Sequence, residues 1–214
     1  MKRIEFFFDF VSPFAYLACE QLPQALAGSS YAVDYRPVLF AGLLQHWGQK
    51  GPAEIESKRA WTFRHVHWLA AQQGTPMQTP AVHPFNPLAL LRLALACGAA
   101  ASGPNRRVVE SIFRHAWSGG GADANDPARL AELAARLAPA RDPKSDDVKR
   151  ELRENTDRAI VLGIFGVPTY VVDGRVFWGL DALPMLRAAL TGDAWFDGPA
   201  WEAEGKPREG VVRR

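Results

Sequence analysis

The chain has 214 residues, 48% of them hydrophobic, which is enough to bury a substantial core as one domain or as a domain carrying a large insertion. Its 25 Lys and Arg nearly balance 23 Asp and Glu, a net charge of +2 that leaves no electrostatic footprint for a nucleic acid. The uncharged run from Ala159 to Val172 contains Gly and Pro and falls short of the roughly 20 residues of a spanning helix, and Glu5 and Asp9 interrupt the N-terminal apolar run, so the expectation is a soluble, cytoplasmic protein with no membrane partner and no secretory leader.

Ile4 to Phe8 is a short run of β-formers that breaks at Asp9 into a link ending at Ser12-Pro13. Phe14 to Leu26 then reads as a helix, because Ser at the cap accepts an orphan amide proton and Pro at the first helical position has none to leave unpaired. Ser12 admits two readings here: a plain helix cap, or a hydroxyl at the positive end of a helix, where an anion is stabilised by the dipole and the free amides. Tyr31 to Leu39 alternates as a second strand with Pro37 at its edge or exit, and a right-handed crossover makes the two strands parallel.

From Phe40 to about Gly163 no strand pattern occurs, and Ala, Leu, Arg and Glu recur at helical spacing. Ala53 to Gln73 forms one long amphipathic candidate, stopped by Gly74 and Pro76. Asn86-Pro87 opens a second helix as cap and first residue, and Asn105 to Trp117, Asp126 to Leu137 and Ser145 to Leu162 follow, each behind Asn, Asp or Ser. Val167 to Val172 returns to strand, Asp173-Gly174 signals a type I′ hairpin, and Arg175 to Trp178 runs back before a last helix, Leu180 to Leu190. The expected division is 1–39 with 163–192 as the sheet-bearing unit, 40–162 as a helical insertion, and 193–214 as a loosely held tail rich in Gly, Pro and charge.

Cys19 and Cys97 lie far apart in apolar surroundings, outside any C-x-x-C pair, and read as free thiols. His65 and His67, two apart on a helix, point to different faces, and no metal site is expected. The β-α-β…β-β-α order, with a helix starting at the end of the first strand and Val-Pro entering the third, resembles the thioredoxin fold, an α/β class. Redox members of that fold carry C-x-x-C where this chain has Ser12-Pro13-Phe14-Ala15, so any thiol chemistry must come from outside the chain.

The segments DFVSPFAY at 9–16, HPFNPLALLR at 83–92 and GIFGVPTYVVDGRVFWGLD at 163–181 are similar to the 2-hydroxychromene-2-carboxylate isomerases, relatives of the kappa-class glutathione transferases. The similarity runs to about Leu190 and implies glutathione as cofactor, a small aromatic substrate and a homodimer. It implies that Ser12 donates to the glutathione sulfur, and that the backbone of Val167, ahead of a cis Pro168, pairs with the cysteinyl backbone. Asp181 and the amide of Ala182 would hold the γ-glutamyl end, Gln49 and Lys58 would reach glutathione or the substrate carboxylate, and Phe85 and Asn86 would line the substrate pocket. Without the resemblance, Asp181 and Asn86 read equally well as helix caps and Lys58 as a solvated lysine. Leu180 and Ala182 depart from the family's pattern of a polar residue before Asp181 and often Arg after it. The implied reaction is reversible thiolate addition that isomerises 2-hydroxychromene-2-carboxylate to trans-o-hydroxybenzylidenepyruvate; the rivals are conjugation of an electrophile, as in a kappa-like transferase, and peptide binding without catalysis.

Overall fold

The computed structural model describes residues 1–99, 102–206 and 210. Four strands form one mixed sheet in the order β2-β1-β3-β4: β1 Lys2–Phe8, β2 Tyr31–Pro37, β3 Thr169–Val172 and β4 Arg175–Trp178. β1 and β2 are parallel, with Lys2 opposite Tyr31 and Phe8 opposite Pro37, joined by α1, Pro13–Ala25. β3 runs antiparallel to β1, and β4 returns from it through a turn in which Asp173 and Gly174 both have positive φ, 50° and 78°, as a type I′ hairpin requires.

β1 is central and its second half is buried on both faces, which is why Phe6 to Phe8 is a continuous apolar run. Ile4, Phe6 and Phe8 face the larger core, while Phe7 points to the other side with Val38, Leu43 and Ile164. The helical segment comprises α2 Phe40–His46, α3 Glu56–Gln72, α4 Leu88–Cys97, α5 Arg106–Trp117, α6 Pro127–Leu137 and α7 Asp146–Val161. It is distinct in chain order but shares the sheet's core: Phe113 on α5 packs against Phe8 and Phe10, with ring centroids 5.5 and 4.7 Å apart.

Several boundaries differ from the sequence expectation. The helix expected over 53–73 is divided: Pro52–Glu54 make a 3-10 turn, Ile55 is extended, and α3 begins at Glu56. α4 starts one residue later than expected, with Pro87 at the cap position and the Asn86 side chain accepting from the Leu88 amide at 3.0 Å. Ser145 precedes α7 without capping it, its hydroxyl donating to the Asp142 carbonyl instead. The last helix opens as a 3-10 turn, Leu180–Ala182, before α8, Leu183–Leu190. The tail up to residue 206 is docked: it contains α9, Pro199–Glu204, and Phe196 is buried against Phe177 and Trp201. Its aromatic residues outweigh the Gly, Pro and charge that suggested looseness; residues 207–209 and 211–214 lie outside the described residues.

Candidate functional site

The link between β1 and α1 is held from every side. The Asp9 carbonyl accepts from the Ser12 amide at 3.1 Å, closing a tight turn, and Asp9 Oδ1 accepts from the Val11 amide at 3.1 Å. Trp117, fully buried on α5, donates from Nε1 to the Phe10 carbonyl at 2.8 Å. His83 Nε2 donates to the Val11 carbonyl at 2.9 Å, which assigns the ring proton to Nε2, and its imidazole packs edge-on against Phe63. Burial keeps the His83 pKa below the ordinary histidine value. Ser12 is therefore delivered to a fixed place.

Ser12 is nearly buried, its Oγ accepts from the Ala15 amide at 3.2 Å, and Pro13 occupies the first helical position. An oxygen that accepts one proton still has its own to give. In the structure that proton points to the carbonyl of Val167, 3.5 Å away at the far limit of a hydrogen bond. The Val167-Pro168 peptide is cis, as is His83-Pro84. Among the described residues the Val167 amide has no hydrogen-bond partner, whereas the Pro168 carbonyl accepts from the Gly179 amide at 2.9 Å. The backbone at 167 thus presents an open donor and a weakly held acceptor, the pair an added extended strand needs.

Two cavities meet at this point, sharing Phe14, Val167 and Trp178 in their walls. The larger, about 900 Å³, contains Ser12. Its wall is aromatic, with Phe40, Phe63 and Phe85, and its rim carries Gln49, Lys50, Glu54 and Arg59. The smaller, about 680 Å³, lies on the other side of Val167 and Pro168 and holds Asp181, Arg187, His65 and Gln73. Trp178, half exposed and 4.8 Å from Phe165 between ring centroids, stands at the junction. Gly166 permits this, since a Cβ there would lie 2.6 Å from the Trp178 Nε1.

The structure brings together Ser12, Gln49, Phe85 and Val167 in the first cavity, and Val167, Pro168 and Asp181 in the second. It does not bring in the others. Lys58 is exposed and lines neither cavity; Arg59, also exposed, lines the larger one with Lys50, its Nε donating to the Ala53 carbonyl at 2.6 Å. Asn86 is exposed, its side chain engaged at Leu88 and its carbonyl accepting from Asn125, so it serves the α4 start and not the pocket wall. The Ala182 amide donates to the Gly179 carbonyl at 3.3 Å within the 3-10 turn, and Ala182 lies outside both walls.

Sequence reasoning missed Asp9, Arg187 and His83. Asp9 is fully buried, its Oδ2 accepting from the Phe40 amide at 2.9 Å at the start of α2, and burial pushes its pKa up to about 7 against the opposing pull of its backbone donors. The only signal for it was its place directly after a buried strand. Arg187, on α8, donates to the Ala25 carbonyl at 3.1 Å and reaches the second cavity. Both cysteines are free thiols; Cys19 is buried, burial raises both thiol pKa values, and neither lines either of these two cavities. Among the described residues no group of His, Cys, Asp and Glu is placed to hold a metal ion, and no helix is long and apolar enough to cross a membrane.

A mixed β-α-β…β-β-α sheet, a helix N-terminus after its central strand and a cis-proline facing that terminus define a thioredoxin-type domain. The chain belongs to the DsbA-like thioredoxin domain family, which matches it over residues 3–191. Within that breadth it is similar to named enzymes of one branch. It is 29% identical to a 2-hydroxychromene-2-carboxylate isomerase of Sphingobium xenophagum, over 88% of this chain and 98% of that one. It is 27% identical to glutathione S-transferase kappa 2 of Caenorhabditis elegans, over 94% of this chain and 96% of the relative. Among solved structures it matches a selenomethionine 2-hydroxychromene-2-carboxylate isomerase with a TM-score of 0.76 at 24% identity, covering 91% of this chain and 97% of the other, a likeness of fold.

Proposed function

We propose that the protein is a glutathione-dependent isomerase that interconverts 2-hydroxychromene-2-carboxylate and trans-o-hydroxybenzylidenepyruvate in aromatic catabolism. One observation carries the reading: the Ser12 hydroxyl, capping α1, stands where two cavities meet beside the open backbone of Val167, with no cysteine at hand. Bound glutathione would supply a thiolate that adds reversibly to the conjugated side chain of the substrate and so frees a double bond to rotate.

The chain's own residues supply the rest. Ser12 donates toward sulfur and, with the N-terminus of α1, favours the thiolate over a free thiol of pKa about 8.5. The Val167 backbone pairs with the cysteinyl unit as an added strand. Asp181 takes the γ-glutamyl ammonium, and with the Ala182 amide occupied, Arg187 is the cation available to the γ-glutamyl carboxylate. Lys50 and Arg59 take the carboxylate contact expected from Lys58, with Gln49 beside them. Phe40, Phe63 and Phe85 form the slot for an aromatic ring and keep water from it. The reading places the protein in the cytoplasm, where reducing conditions prevail, with a homodimer as the expected assembly.

The similarity to a kappa transferase supports a second reading, in which the same site releases a conjugate of a small electrophile. Calorimetry with glutathione tests both: absence of binding defeats them and favours a thioredoxin-like module that binds peptide at Val167. Given binding, turnover of the chromene to the benzylidenepyruvate without loss of glutathione supports the isomerase, and consumption of glutathione with an aryl halide supports the transferase.

A further inference from the structure

Asp9 has no part in the scheme above, yet its placement ties the site together. Its Oδ1 holds the Val11 amide beside Ser12, and its Oδ2 holds the Phe40 amide, the first residue of α2, whose own cap residue Leu39 has no side-chain hydrogen bond to offer. α2 leads directly into the 49–54 segment, so a single carboxyl anchors the Ser12 turn and the opposite wall of the larger cavity. Asp9 belongs to the floor of that cavity while exposing none of its surface to bulk solvent.

The groups around it leave its charge uncompensated. The titratable and charged side chains on the same cavity are Lys50 and Glu54 after α2, Arg59 on α3 and His83, and none forms an ion pair with Asp9 among the described residues. α7 meets the same corner with uncharged Asn155 and Thr156, which donate to the Pro37 carbonyl and accept from the Leu39 amide. An ionised Asp9 is held by backbone amides, those of Val11 and Phe40 foremost, and by no cation among the described residues. A second anion formed in this cavity would meet it with little screening.

We propose that Asp9 is the proton acceptor of the site: when a thiol bound at Ser12 ionises, Asp9 becomes protonated, so that the cavity holds one anion at a time. The inference rests on the glutathione reading. The S–H bond breaks with its electron pair kept on sulfur, and the proton ends on a carboxylate oxygen of Asp9, forming an O–H bond; net charge in the site is unchanged and no electron leaves the pair. Asp9 acts through proton balance and through the two amides it holds, without touching the substrate. That its pKa is pushed up to about 7 by burial supplies the range in which it can give and take a proton at neutral pH.

Proton counting tests this. Glutathione binding is measured by calorimetry at about pH 8 in buffers of different ionisation enthalpy, with S-methylglutathione, which has no thiol proton, as the control. The free thiol, with a pKa of about 8.5, is about three quarters protonated there, so binding as thiolate releases about that fraction unless the protein takes it up. Wild type is expected to release close to none and Asp9→Asn about three quarters of a proton, with no release from S-methylglutathione in either. A direct readout that does not depend on the variant folding is the side-chain carboxyl ¹³C signal of Asp9 in the wild type. Its titration midpoint is expected to rise by about two units on saturation with glutathione and to stay put with S-methylglutathione. Release of the full fraction by the wild type, or a midpoint that ignores glutathione, overturns the Asp9 proposal while leaving glutathione binding intact. Absence of binding by both ligands overturns the functional reading itself.

Discussion

The Ser12 hydroxyl lies 3.5 Å from the Val167 carbonyl while accepting from the Ala15 amide at 3.2 Å. The side chain that starts α1 also faces the Val167 backbone, whose amide is unused among the described residues, so the structural and chemical readings of Ser12 describe a single geometry. They separate in the response to substitution. Ser12→Ala should cost about 1 kcal/mol as a lost cap, whereas Ser12→Gly should cost only about a few tenths. Both remove the donor to sulfur, and both should lower turnover about a hundredfold, the usual scale for one preorganised donor. Thermal unfolding and steady-state kinetics on the pair check this; activity that tracks stability instead of the hydroxyl would defeat the role given to Ser12.

The cationic rim makes a second prediction, because Lys50 and Arg59 line the larger cavity and Lys58 does not. Arg59→Met should weaken glutathione binding about tenfold, the scale of a hydrogen bond to a charged group, and Lys58→Met should leave it unchanged. Glutathione esterified at its glycine carboxylate should bind wild type and Arg59→Met alike. Calorimetry on these combinations decides it, and a loss caused by Lys58→Met would restore the contact expected from the sequence.

Gly179 ties backbone conformation to the second cavity. Its φ is 103°, and a Cβ on it would collide with Asp181 Oδ1. Gly179→Ala should therefore cost about 1–3 kcal/mol in backbone strain and displace the carboxylate assigned to the γ-glutamyl ammonium. Affinity for glutathione should fall, and affinity for an analogue lacking that ammonium should change far less. Equal losses for both ligands would mean that Asp181 does not read the ammonium.

The contrast between these residues explains what the sequence made legible. Ser12-Pro13, Asn105 and Asp126-Pro127 are read correctly because capping is local: the hydroxyl, amide or carboxylate bonds an amide two or three residues on, whatever the tertiary fold. The Phe6 to Phe8 run of β1 and the Asp173-Gly174 turn are legible for the same reason. Lys58 lines neither cavity and Arg59 lines the larger one, a distinction that the single helix expected over 53–73 does not make, since a 3-10 turn and an extended Ile55 break it. Asp9 and Phe196 illustrate the other limit. An acid after a strand and an aromatic among glycines and prolines both read as loop, and only long-range partners, Phe40 for one and Phe177 for the other, bury them.

Burial of Asp9 and His83 predicts how stability varies with pH. The folded-state pKa of Asp9 is raised to about 7, so between roughly pH 4 and 7 the folded protein binds a proton that the unfolded chain has released. Its contribution to stability is greatest below the unfolded pKa and is lost as pH rises through about 7. His83 acts in the opposite sense: with its folded pKa lowered, the unfolded chain binds the extra proton, and stability is lost as pH falls below about 6.5. Asp9→Asn isolates the first effect. The stability of wild type relative to Asp9→Asn should decline from pH 4 to pH 7 with a slope of at most about 1.4 kcal/mol per unit, then level off. His83→Gln should flatten the acid side of the curve near pH 6 without altering the Asp9-dependent slope. Urea unfolding of the three proteins across this range measures both slopes, and parallel curves for wild type and Asp9→Asn would show that the buried carboxyl does not titrate there.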